Sequence, residues 1–99
     1  MKKTKDYKYK LKENDVKAQV KDYLDIMGWY HFPLLQGIGS HPGLPDRIAI
    51  KNGRTIYIEC KSPRGEQRPA QIVFEENIVR QKGEYLMIDV ISLLMDKIG

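Results

Sequence analysis

Residues 43–61 read GLPDRIAIKNGRTIYIECK. Asn52-Gly53 near its centre is the strongest two-residue hairpin signal, because both central positions of the tight turn need positive φ. The segments on either side, DRIAIK and RTIYIECKS, are short, apolar and β-branched, and read as the two strands. With the turn there, residues whose numbers sum to about 105 face one another, which sets Asp46 opposite Glu59. Side chains alternate along a strand, so Ile56, Ile58 and Cys60 face a core while Tyr57, Glu59 and Lys61 face the other way. A carboxylate in a half-buried strand costs free energy unless something compensates it, and two carboxylates across a hairpin repel unless a cation lies between them.

The rest of the chain supplies a scaffold for this hairpin. From Glu13 onward, Val16, Val20, Tyr23, Leu24 and Met27 recur at three- and four-residue spacing, which predicts an amphipathic helix ending at Gly28. WYHFPLLQ reads as a strand that Pro33 confines to an edge. GIGSHPGLP is a loop, as is SPRGEQRP, and Pro69 suits the first turn of a helix over about 68–82. On that helix Ile72, Val73, Ile78 and Val79 are the expected buried face, with Gly83 ending it. EYLMIDV reads as a fourth strand with Met87-Ile88 in the core, and ISLLMDKIG as a terminal helix. The expected fold is α/β (α+β), in the order α-β-β-β-α-β-α, with a mixed central sheet flanked by helices.

The chain has 99 residues, enough for one domain, and 41% hydrophobic with 30% charged residues is ordinary for a globular one. No run approaches the length of a membrane span, and the lysine-rich start has no apolar stretch behind it, so neither a membrane partner nor a signal peptide is expected. Cys60 is the only cysteine, which excludes an internal disulfide and a cysteine-based zinc cage and fits an intracellular, cytoplasmic setting. Residues 1–12 hold six Lys and one Asp, a net +5, while the remainder holds eleven Lys/Arg against twelve Asp/Glu, a net −1. A basic Lys/Tyr arm over 1–11 ahead of a nearly neutral domain over 12–99 suits attraction to phosphates, with Lys8 and Lys10 as expected nucleic-acid contacts and the tyrosines able to stack on bases. A solubilising tail has the same composition.

Asp46 and Glu59 with Lys61 beside them suit a Mg²⁺ site acting on a phosphodiester. Mg²⁺ takes oxygen ligands and is usually held by one or two protein carboxylates together with substrate phosphate. Such an ion polarises a phosphoryl oxygen, and a lysine neutralises charge that builds up in the transition state.

The residues Gly43-Leu44-Pro45-Asp46, Glu59-Cys60-Lys61, Pro63, Gly65 and Gln71 together resemble the VRR-NUC family of the PD-(D/E)xK nuclease superfamily, and Glu13 resembles that family's N-terminal helix glutamate. The resemblance spans roughly residues 12–95. It implies a metal-dependent, structure-selective DNA endonuclease with a restriction-endonuclease-like core. Glu13, Asp46, Glu59 and the Cys60 backbone carbonyl would surround Mg²⁺, with Mn²⁺ able to substitute. Asp46, Glu59, Lys61 and Gln71 would be the catalytic residues. It further implies a stand-alone phage or bacterial enzyme acting on branched DNA, foremost the four-way (Holliday) junction, and symmetric nicking there calls for a homodimer. Arg68 stands where the family often has a capping Ser, so either the helix cap moves or Arg68, like Arg64, contacts phosphate.

Each residue also has a purely structural reading. Asp46 suits a turn after Pro45, Glu59 and Lys61 an exposed charge pair on a strand, Glu13 the first turn of a helix, and Gln71 a solvated helix face. His31 reads as a strand residue, His41 as a loop residue within reach of a phosphate, and Cys60 as a small buried thiol. A nickase, flap or restriction-like nuclease of the same fold, and a non-catalytic DNA-binding module, are the alternative functions.

Overall fold

The computed structural model describes residues 11–99, so residues 1–10 of the basic arm, with the expected contacts Lys8 and Lys10, lie outside the described residues. Among the described residues the elements follow the expected order: α1 Glu13–Ile26, β1 Tyr30–Pro33, β2 Arg47–Lys51, β3 Arg54–Cys60, α2 Pro69–Arg80, β4 Glu84–Ile88 and α3 Ile91–Ile98. The strands form one mixed sheet in the spatial order β1-β2-β3-β4. The pairs β1–β2 and β2–β3 are antiparallel, and β3–β4 is parallel. Parallel neighbours need a crossover, and α2 provides it.

The hairpin forms with Asn52 at φ +51° and Gly53 at φ +82°. Its register runs from Arg47↔Ile58 to Lys51↔Arg54, the pairing that the turn position predicts. Pro33 ends β1, an edge strand, where its missing N–H breaks no ladder. The expected strand over 29–36 is therefore shorter, and the chain leaves it with the Leu34 amide bonded to the Asp46 carbonyl.

One face of the sheet carries the hydrophobic core. Val16, Val20 and Leu24 of α1 and Leu94 of α3 pack with Trp29, Ala49, Ile56, Ile58, Cys60 and Ile88. Spacing of four residues on α1 puts its three apolar residues on one stripe. The Asp15 carboxylate accepts the Lys12 amide ahead of that helix, and Gly28, at φ +79°, ends it.

The opposite face lies under α2, and here the expected buried side is corrected. Ile72, Val73 and Val79 are exposed and Ile78 is half-buried, whereas Gln71 and Phe74 are buried. The helix turns the 71, 74, 75, 78 stripe to the sheet because Phe74 fills the space between Tyr57 and Tyr85, with ring centroids 5.5 and 6.1 Å away. Two further expectations shift. Lys82, at φ +67°, takes the left-handed position after α2 instead of Gly83. Met87 lies on the edge strand β4 and is exposed, while Ile88 is fully buried.

Gly43 is where the loop before β2 meets α2. Its φ is +75°, and a Cβ there would stand 2.1 Å from the Ala70 carbonyl oxygen. Gly43→Ala therefore combines a left-handed backbone penalty with a backbone clash, an expected loss of about 2–4 kcal/mol. In thermal denaturation the Tm should fall by at least ~8 °C for a domain of this size.

Candidate active site

The C-terminal end of β3 carries the charged residues of the candidate site. Glu59 and Lys61 point to the α2 face, as alternation requires, and both are buried there, at 0% and 7% exposure. An exposed charge pair is thus excluded for them. Lys61 Nζ stands 3.3 Å from Glu59 Oε2. The other oxygen, Oε1, accepts hydrogen bonds from the Tyr85 hydroxyl and from Gln67 Nε2, the latter at 3.0 Å. Gln67 Nε2 also reaches Glu75 Oε1 at 2.9 Å. Oε2 has no hydrogen-bond donor, although it is fully buried. Buried charges of this kind are normally paired and fully hydrogen-bonded or bound to a metal.

Asp46 is held at the mouth of the same region. Its amide donates to the Ile58 carbonyl at 3.0 Å, and its Oδ2 accepts the Cys60 amide at 2.6 Å. The carboxylate is therefore fixed one peptide away from Glu59. Its second oxygen, Oδ1, lies 3.3 Å from Lys17 Nζ, which in turn lies 3.4 Å from Glu13 Oε2. Glu13 meets Asp46 through Lys17 rather than directly. Burial works against the Lys17 charge, but the Asp46 and Glu13 carboxylates outweigh it and hold the ammonium above the ordinary lysine pKa.

Other groups are silenced by their surroundings. Burial, reinforced by the Asp46 charge, pushes the Cys60 thiol up to about 12, so it is neutral at physiological pH. Burial first, and then the Glu59 hydrogen bond, raise the Tyr85 hydroxyl far above its usual range, so it serves as a fixed donor. Gln71 is buried rather than solvated, and its Oε1 accepts the Arg68 amide at 3.0 Å. The cap has therefore moved to Gln71, which caps the start of α2 from within the helix. The side chains of Arg68 and Arg64 are exposed on the loop above the site. His41 packs edge-on against Phe74. His31 lies away from these carboxylates, with Nε2 on Asp25 at 2.5 Å and Arg47 donating to Nδ1 at 2.9 Å.

Among the described residues no three His, Cys, Asp or Glu side chains converge into a ready metal cage. The donors near β3 are Asp46, Glu59 and the Cys60 backbone carbonyl, with Glu13 at the far side of Lys17. An all-oxygen set of this kind, with Asp46 anchored to the Cys60 amide next to Glu59, suits Mg²⁺, which keeps several waters and seldom uses an all-protein cage. The fully buried Glu59 Oε2, which has the Lys61 ammonium at 3.3 Å but no hydrogen bond, is the observation that favours the fit.

Sequence reasoning did not single out Lys17, Gln67 or Tyr85. Lys17 stands four residues after Glu13, a spacing that signals a helical ion pair. Gln67 and Tyr85 had no such signal, because they meet Glu59 only across the crossover.

No protein-family profile matches the chain, and no curated protein matches it.

Removing Lys61 should leave the Glu59 charge buried and unpaired, so Lys61→Met in metal-free buffer is expected to cost about 3 kcal/mol. Glu59→Gln combined with Lys61→Met should recover most of that loss in urea denaturation, since both charges then disappear together. For Cys60, a thiol reagent such as DTNB at about pH 8 should leave the folded protein unmodified and titrate one thiol after unfolding.

Proposed function

We propose that the chain is a metal-dependent structure-selective DNA endonuclease that hydrolyses phosphodiester bonds, with the four-way junction as its foremost substrate. The observation that carries this reading is the buried Glu59, whose Oε1 is saturated by Tyr85 and Gln67 while Oε2 faces Lys61 alone. A carboxylate kept in such a position costs stability, and a cation at Oε2 would offset that cost. The VRR-NUC-like pattern of Asp46, Glu59 and Lys61 supports the same reading.

Bound Mg²⁺, or Mn²⁺ in its place, would supply a Lewis acid at the phosphoryl oxygen and lower the pKa of an attacking water. Asp46 would present Oδ1, since Oδ2 is committed to the Cys60 amide. Glu59 would present Oε2 and be held from turning by Tyr85 and Gln67. The Cys60 carbonyl would add a neutral oxygen without any demand on its thiol. Lys61, 3.3 Å from Glu59 Oε2, would donate to a non-bridging phosphate oxygen and offset the charge that accumulates there. Gln71, whose Oε1 holds the start of α2, would act beside Lys61 through its Nε2. Arg64 and Arg68 on the exposed loop, and the lysines of the arm, would meet phosphates outside the site. Backbone contacts of this kind read shape instead of base sequence. Paired cuts across a junction need two such sites, so a homodimer belongs to the proposal.

The test is cleavage of an end-labelled four-way junction beside a linear duplex of the same sequence, in Mg²⁺, in Mn²⁺ and in EDTA. Paired nicks at the junction are expected, abolished by EDTA and reduced at least ~10²-fold by Lys61→Ala. Equal cutting of both substrates would keep the nuclease and discard the junction. Tight junction binding without cutting would point to the non-catalytic module instead.

A further inference from the structure

We infer that Lys17 is a built-in cation that occupies two carboxylates of the site and has to leave them before a divalent ion can bind there. The inference rests on the metal-dependent reading above and concerns how that site is held when no metal is bound.

Each of the three carboxylates in the proposed set already has an ammonium beside it. Glu59 has Lys61 at 3.3 Å, while Asp46 and Glu13 share Lys17 at 3.3 and 3.4 Å. The two lysines are not equivalent. Lys61 is buried, follows the central strand β3 and keeps its amide bonded to the Ile88 carbonyl at 2.9 Å, so it has little freedom. The Lys17 side chain is 42% exposed and sits on a flexible four-carbon stem. It can swing into solvent at small cost, because exposed ion pairs of this kind are weak.

Its departure leaves the ligands in place. Asp46 stays anchored through Oδ2 to the Cys60 amide and through its own amide to the Ile58 carbonyl. Glu13 stays on the first turn of α1, whose apolar stripe is fixed in the core. The oxygens that Lys17 holds, Asp46 Oδ1 and Glu13 Oε2, are the ones a hard cation would take. The ammonium and the metal ion thus compete for one pair of oxygens, and Lys17 sets how much divalent ion the site requires.

Isothermal titration of the full chain with MnCl₂, without DNA, tests this independently of cleavage. Lys17→Met should bind Mn²⁺ roughly two- to thirty-fold tighter than the unaltered protein, the range spanned by two exposed ion pairs. Lys17→Arg should restore the weaker binding, because the competing charge returns. Lys21→Met removes the same unit charge from the next turn of α1, where Lys21 pairs with Asp25 at 3.2 Å, and should leave the affinity unchanged. Circular dichroism of each variant would verify that α1 is intact. Equal affinity of Lys17→Met and the unaltered protein, or weaker affinity, would overturn the inference while leaving the metal site standing. An equal gain in Lys21→Met would also overturn it, since net charge alone would then explain the effect. Absence of Mn²⁺ binding to every variant would overturn the metal reading and this inference together.

Discussion

Bringing the Glu59 carboxylate and the Lys61 ammonium out of water costs several kcal/mol per charge, and their mutual attraction recovers that only with good geometry and further hydrogen bonds. The protein meets half of this requirement. Oε1 is fully engaged by Tyr85 and Gln67, whereas Oε2 has the ammonium at 3.3 Å and nothing else. Much of the surrounding architecture follows from keeping this pair in place. The central strand β3 carries it, the parallel strand β4 brings Tyr85 beside it, and the crossover helix α2 with its preceding loop closes over it with Phe74 and Gln67.

The two faces of the sheet divide the work. On one, α1 and α3 bury an aliphatic core that supplies the stability of the domain. On the other, α2 covers an aromatic and charged layer that a purely stabilising design would have made apolar. Asp46 links the layers. It stands at the entrance to β2, bonds across to the end of β3 and reaches Lys17 on α1. Cys60 shows the same division within adjacent residues: its side chain is an inert part of the core, while its amide holds Asp46 and its carbonyl lies among the candidate donors.

Lys17 and Gln71 illustrate how a side chain's role depends on what the fold places nearby. Gln71 belongs to a motif that resembles a catalytic one, yet its amide oxygen is spent on the backbone of Arg68. Lys17 belongs to no motif, yet it joins two carboxylates that come from a helix and from a strand entrance more than thirty residues apart in sequence.

Local physics was legible in the residues alone. Asn52-Gly53 dictated the hairpin and hence its register, Gly28 ended α1, Pro33 limited β1 to an edge, and alternation sorted Ile56, Ile58 and Cys60 from Tyr57, Glu59 and Lys61. Each of these depends on φ preferences or on a two-residue period, which act over a few neighbouring positions. The buried side of α2 was not legible, because Ile72, Val73 and Val79 compete with Phe74 for the inward stripe and only the aromatic gap between Tyr57 and Tyr85 decides the contest. Nor were the clamp on Glu59 and the bridge at Lys17, since both join groups from separate elements. The sequence by itself determined the element order, the hairpin register and which residues of β3 share a face. Tertiary structure alone decided which charges are buried, what each oxygen bonds to and where an oxygen is left bare, because these depend on packing across the sheet rather than along the chain.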